Sequence, residues 1–248
     1  PQEMAYAATS IDDKLKTAIE RAACNIACFH SAQKPQDEMV ETEPGVRCWR
    51  KSVPIRRVGL YIPGGSAPLF STVLMLAIPA RLAGCHEITL ATPPRADGSG
   101  HPAILFAASA AGGVTRILKL GGAQAIAALA YGTETIAKVD KIFGPGNRYV
   151  TAAKQLIASR TCAIDLPAGP SEVMVLADLE SDPDFCAADL LSQAEHGPDS
   201  QTVLVVLAED TKRGVEFIDQ VERCIDDQLA GSDRAAMISS SLSHSRAV

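Results

Sequence analysis

From residue 57 to residue 169 the chain repeats one unit four times: a short apolar run, a glycine-bearing loop and a stretch of helical periodicity. The runs fall at 58–62, 87–91, 115–120 and 141–143, and a fifth follows at 162–166. Helices are predicted over 72–83, 101–111, 125–130 and 149–159; the first is closed by Gly84, and the second has Pro102 in its first turn, where the missing N–H costs nothing. Strands alternating with helices in this way build an open parallel sheet with helices on both faces. Aromatic residues make up only 4% of the chain, so alanine and branched aliphatics must form the core, as suits helices packed on a parallel sheet.

Sheets of this kind bind ligands outside the carboxyl ends of their strands. The loops P-G-G-S-A-P (63–68), G-G-A-Q (121–124), G-P-G-N (144–147) and P-A-G-P-S (167–171) all fall on that edge. Glycine there lets a backbone approach a ligand closely, and free amides at helix starts suit phosphate. No loop reads G-x-G-x-x-G, and the second strand ends at Thr92-Pro93-Pro94 rather than at a ribose-binding acid. The residues leave two readings open, a nucleotide or phosphorylated ligand, or turns with a structural role only.

A second series begins after Ser171, with strands at 172–177 and 202–207 and helices at 182–196 and 210–229, the latter with Asp210 as its cap. Its first helix ends in D-L-L-S-Q-A-E-H-G-P-D-S-Q (189–201), where Gly197-Pro198 is a strong stop. Gln193 and His196 stand three residues apart on its last turn, so an amide oxygen and an imidazole can converge beside helix carbonyls that welcome a cation. Zinc needs three or four ligands, and this turn offers two or three. Asp199 could orient His196 or simply serve the turn, and Glu195 reads as a solvated helix-end carboxylate. Residues 243–248 approach a third strand; a sheet of two strands would expose edges and an apolar face, so the unit reads as cut short. Completion by residues 53–55 and a partner is the other option.

Upstream, one amphipathic helix is predicted from Ser10 to about His30, with Ile11, Leu15, Ile19, Ala22, Ile26 and Phe29 at helical spacing. A polar connector over 33–44 leads to a short strand or hairpin arm at 45–51. The chain opens abruptly on this helix, which suggests residues upstream of it. The expected fold is therefore α/β: an open parallel five-stranded Rossmann-like sheet at 57–171, a second, incomplete α/β unit at 172–248, and an N-terminal helix and connector at 1–56 that packs with the second unit.

A net charge of −6 argues against a nucleic-acid partner. No apolar run is long enough to span a bilayer, which points to a cytoplasmic protein with no membrane partner. The seven cysteines are odd in number and scattered through mostly apolar stretches, which reads as reduced core thiols.

Five blocks carry a family likeness: V-G-L-Y-I-P-G-G-S-A-P-L-F-S-T-V-L-M (58–75), G-G-A-Q-A-I-A-A-L-A-Y-G-T (121–133), K-I-F-G-P-G-N (141–147), D-L-P-A-G-P-S-E (165–172) and the helix end at 189–201. In that order they resemble histidinol dehydrogenase over nearly the whole chain. The resemblance implies a zinc-dependent, NAD-linked homodimer that oxidises the small molecule L-histidinol through the aldehyde to L-histidine, the last steps of histidine biosynthesis. It implies that Tyr61, Gln124 and Asn147 contact NAD, that Ser171, Gln193 and His196 contact substrate, and that Gln193 and His196 ligate zinc. The family's Glu-His acid–base pair and its remaining zinc ligands, an Asp and a His, match nothing here and are expected beyond Val248, so the 248 residues alone are expected to be inactive. The alternatives are a related zinc and NAD dehydrogenase of another small polar alcohol, and a non-catalytic NAD-binding or dimerisation module.

Overall fold

The computed structural model describes residues 2–64, 68–167 and 172–248. In chain order the elements are α1 (Gln2–Ser10), α2 (Asp13–Ala32), β1 (Met39–Glu43), β2 (Val46–Trp49), β3 (Arg57–Tyr61), α3 (Phe70–Leu82), β4 (Glu87–Thr92), α4 (Pro102–Ala111), β5 (Val114–Lys119), α5 (Gly122–Tyr131), β6 (Lys141–Phe143), α6 (Arg148–Ala158), β7 (Ala163–Ile164), β8 (Glu172–Asp178), α7 (Pro183–Ala194), β9 (Gln201–Leu207), α8 (Thr211–Leu229), α9 (Ala235–Leu242) and β10 (Arg246–Ala247). They divide into two units, Pro1–Ala168 and Gly169–Val248.

In the first unit five parallel strands lie in the order β5-β4-β3-β6-β7. Chain order reverses between β3 and β6, which makes the carboxyl ends of those two strands the crevice of the sheet. Successive residues of the central strands are buried, Leu60 with Tyr61 and Leu90 with Ala91, because helices cover both faces. On one face α2, α3 and α4 bring Ile19, Val73, Leu74, Ile78 and Ile104 against Val58, Leu60, Ile88 and Leu90. On the other, α5 and α6 bring Ile126, Leu129, Val150 and Ile157 against Ile142. Each large aliphatic side chain buried this fully contributes about 1.5–3 kcal/mol.

The N-terminal segment departs from the sequence expectation twice. The helix expected from Ser10 to about His30 is α2, entered through Asp12 rather than Ser10, and a further helix that the sequence did not announce, α1, precedes it and ends at Ser10. Nor do these helices belong with the second unit. Ile11, just before α2, and the stripe Leu15, Ile19, Ala23, Ile26 of α2 pack into the cluster formed by α3 and α4, and α1 buries Ala7 and packs against α4. Glu3 anchors it, accepting hydrogen bonds from Gly100 N (2.8 Å) and Lys119 Nζ (2.8 Å). The predicted arm is the antiparallel hairpin β1–β2, whose strands are exposed along their length.

The second unit is a parallel sheet in the order β10-β9-β8. The third strand is thus β10, within the stretch read as its approach, and residues 53–55 do not supply it. Helices α7, α8 and α9 cover the face presenting Val175, Ala177, Leu204 and Val206. The opposite face presents Met174 and Leu176 at 68% and 64% exposure. Capping explains two helix starts: Asp182 and Asp210 accept from the N–H groups of Asp184 and Lys212. Helix α9, a serine-rich segment, gave no sequence signal.

All seven cysteines are free, but the expected core setting holds only in part. Cys162 and Cys186 are buried, and that burial pushes their thiols above the ordinary value. Cys24 and Cys28 are exposed on α2, and Cys48 on the exposed hairpin. Among the described residues no helix is long and apolar enough to cross a membrane.

Candidate cofactor rim and metal-ligand pair

Tyr61 is the last residue of β3 and is buried among core side chains. Its hydroxyl accepts the Gly122 N–H (3.0 Å), so one side chain ties the end of β3 to the first turn of α5. Two residues on, Gln124 is exposed and folds back over Gly122, where an added Cβ would lie 2.7 Å from Gln124 Oε1. Asn147 caps α6: its Oδ1 accepts from Tyr149 N and Val150 N at 3.1 Å each, which aims the helix start at the rim. The capping oxygen is committed, which leaves the side-chain nitrogen of Asn147 as its polar face toward a ligand.

The loops between these residues are packed without slack. Gly144 has φ +125, and a Cβ there would stand 2.1 Å from Tyr61 O. No L side chain fits, so β6 leaves the sheet pressed against the end of β3. At Gly121 a Cβ would meet Pro93 at 2.4 Å, and at Gly64 it would meet the same ring at 2.8 Å. Pro93 is thus wedged between the loops that follow β3 and β5. Here the glycines make room for neighbouring chain, which is why no spaced glycine fingerprint is needed.

Two further residues hold this edge, and the sequence reading did not single them out. Lys154, in the middle of α6, is only 3% exposed. Its Nζ donates to Gly144 O (2.8 Å) and forms an ion pair with Asp165, just beyond β7. The other Asp165 oxygen accepts the Gly144 N–H (2.7 Å). At the same rim His101 caps α4, its Nδ1 accepting from Ala103 N (3.2 Å). Burial first, and then the charge of Arg95, hold that imidazole below its ordinary value, so the neutral ring can act as acceptor.

The end of α7 is differently made. Gln193 is buried at 8% exposure, whereas His196, two residues past the helix, is exposed. The His196 Nδ1 lies 3.0 Å from Ser192 O. A proton on Nδ1 directed at that carbonyl leaves Nε2 with its lone pair for a metal, the usual arrangement of a ligating histidine. The backbone carbonyl of Ser192, rather than Asp199, therefore orients the ring. Glu195 is not merely solvated, for it pairs with Arg234 Nη1 (3.1 Å). Two neutral donors of the right chemistry are present, but among the described residues no group of three His, Cys, Asp or Glu is placed to hold a metal. Ser171 and parts of the first and last rim loops, 65–67 and 168–170, lie outside the described residues.

Comparison with known proteins gives one answer. A family model described as histidinol dehydrogenase matches residues 1–248. The chain is 58% identical over 247 residues to histidinol dehydrogenase of Bacteroides thetaiotaomicron, covering 100% of this chain and 56% of that one. It is 54% identical over 245 residues to that of Xylella fastidiosa, covering 98% and 55%. A crystal structure of histidinol dehydrogenase from Elizabethkingia anophelis superposes with a TM-score of 0.92 at 52% identity, covering 99% of this chain and 55% of that one. The chain therefore spans about half the length of the relatives it matches. A putative aldehyde dehydrogenase from Anabaena variabilis, with a TM-score of 0.53 and 16% identity, shares the fold alone.

Proposed function

The chain belongs to the histidinol dehydrogenase family, and from that membership we propose that within its complete protein it oxidises L-histidinol through the aldehyde to L-histidine, using NAD and zinc. The observation that carries the proposal is 58% identity sustained over 247 residues, the candidate rim and helix-end blocks included. The same membership makes the complete protein a homodimeric enzyme of the cytoplasm in this reading.

On this reading the rim at the ends of β3, β5 and β6 holds the dinucleotide. Tyr61 fixes the crevice wall, Gln124 reaches over the first turn of α5, and Asn147 presents its amide nitrogen from the start of α6. A ligand held at near-attack distance by such fixed groups gains much of its rate from position alone. At the end of α7, Gln193 and His196 supply two zinc ligands, the ring oriented by the Ser192 carbonyl. When bound, NAD would supply the hydride acceptor and zinc a Lewis-acidic anchor for the substrate, with Gln193 and His196 the residues of this chain that would hold the metal. Ser171 contacts the substrate from the loop before β8. In this reading the acid–base Glu-His pair and the other two zinc ligands come from parts of the family's proteins that this sequence does not match.

NADH formation by the complete protein tests the proposal, with L-histidinol compared against other small polar alcohols. Histidinol should be preferred, and two NADH should appear for each histidine formed. Faster turnover of a different alcohol would move the protein to a sister activity, and turnover by the 248 residues alone would contradict the division of labour.

A further inference from the structure

We infer that Lys154 and Asp165 are positioning residues for the dinucleotide, acting through Gly144; the inference rests on the NAD reading above. Lys154 is buried and Asp165 partly so, with side-chain exposures of 4% and 27%, and an ion pair drawn this far out of water seldom improves stability over apolar side chains of the same volume, so stability alone is a poor account of it. What distinguishes it is where its hydrogen bonds go. Beyond each other, the two side chains spend them on the same residue: Asp165 takes the Gly144 N–H at 2.7 Å, and Lys154 gives to the Gly144 carbonyl at 2.8 Å. Both peptide planes flanking Gly144 are thereby fixed.

That residue stands at the reversal point of the sheet, where the ligand crevice opens. Its φ of +125 and its approach to Tyr61 O set the spacing between β3 and β6. Tyr61 in turn holds the first turn of α5, and Asn147 starts α6 three residues after Gly144. Lys154 sits on α6 itself, so the pair also ties that helix to the loop it caps. The three candidate NAD contacts thus share one frame, and the Lys154–Asp165 pair is its fastening.

The test is an NAD titration with parallel thermal melting, on the complete protein and its variants. Asp165→Asn keeps size and an acceptor but removes the charge; it should weaken NAD binding about 3- to 30-fold, the range expected for a residue coupled through a packed network. The kcat at saturating NAD should change far less than the KM for NAD. If Asp165→Asn does not fold, Lys154→Gln gives the same readout. The double variant Lys154→Met/Asp165→Leu should recover melting temperature but not NAD affinity, because apolar filling replaces the packing and leaves Gly144 unfastened. As control, Asp140→Asn loses a comparable contact at the opposite edge of the sheet, where Asp140 accepts from Arg57 N at 2.9 Å, and should lower melting temperature without changing NAD affinity.

Undiminished NAD binding by Asp165→Asn, or recovery of affinity in the double variant, overturns the inference alone. Equal loss of affinity in Asp140→Asn overturns it too, since general destabilisation would then suffice. Failure of the unmutated protein to bind NAD overturns the functional reading, and this inference with it.

Discussion

The two parallel sheets of this chain are built from similar residues and solve the same packing problem to different degrees. The five-stranded sheet is covered on both faces, and consecutive residues such as Leu60 and Tyr61 are buried. The three-stranded sheet is covered on one face, and its residues alternate: Val175 and Ala177 face helices while Met174 and Leu176 stand exposed. The candidate sites follow suit. On the first sheet the rim is tied by hydrogen bonds between its own parts, Tyr61 to Gly122 and Asp165 to Gly144. At the end of α7 there are two candidate donors, one buried and one exposed, and among the described residues no group of three His, Cys, Asp or Glu is placed to hold a metal. A cofactor rim can be finished within one sheet, because backbone and loops supply its parts. A zinc centre needs three or four ligands, more than the two side chains that this helix end offers.

The contrast can be broken most forcefully in the cores. Ile88→Ala, in the middle of the covered sheet, should cost about 2–5 kcal/mol in denaturant unfolding, whereas Met174→Ser on the open face should stay within about 0.5 kcal/mol. Equal losses would mean that the open face is covered in the complete protein, which would sharpen the comparison into one of partners. Next comes Gly144→Ala, where a Cβ 2.1 Å from a backbone oxygen and a φ reserved for glycine should together cost more than about 2 kcal/mol. The same melting experiment on Gly197→Ala, where a Cβ meets nothing within 4 Å, should show little change.

Much of the first unit could be read from the sequence. Apolar runs alternating with glycine loops pointed to a parallel sheet, though not to its strand order, and Tyr61, Gln124 and Asn147 lie at strand ends or in the first turns after them. The Lys154–Asp165 pair was illegible, since a lysine within an amphipathic helix reads as solvated unless its distant partner is known. The placement of α1 and α2 was misread for a related reason: a stripe of Ile11, Leu15 and Ile19 says that a helix must bury one face, not against which sheet. In β8 the run V-M-V-L-A looks uniformly apolar, so nothing local reveals that one of its faces is open. The spacing of Gln193 and His196 on one helix turn was legible, but the burial of Gln193 and the exposure of His196 depend on the packing of α7.

A smaller effect should appear at Asn147. Replacing it by alanine removes two cap hydrogen bonds, a loss of about 1 kcal/mol. The smallest effect is one of pH. His101 binds its proton less readily in the folded state, so the unfolded chain takes up more protons as pH falls through the ordinary value of 6.5. The stability contributed by the neutral cap is present above that value and should decline below it. His101→Asn, a cap that does not titrate, should flatten that part of the melting-temperature profile; an unchanged profile would remove His101 from the account.

The claim on which the rest depends is that dinucleotide and metal are held by separate, separately breakable parts of the chain. Parallel measurement of NAD affinity and bound zinc in the complete protein tests it directly, for Asn147→Ala, Gln124→Ala and His196→Ala. The account predicts that the first two weaken NAD binding and keep their zinc, while His196→Ala loses zinc and binds NAD as before. Loss of NAD binding in His196→Ala, or unaltered NAD affinity in both rim variants, would contradict it.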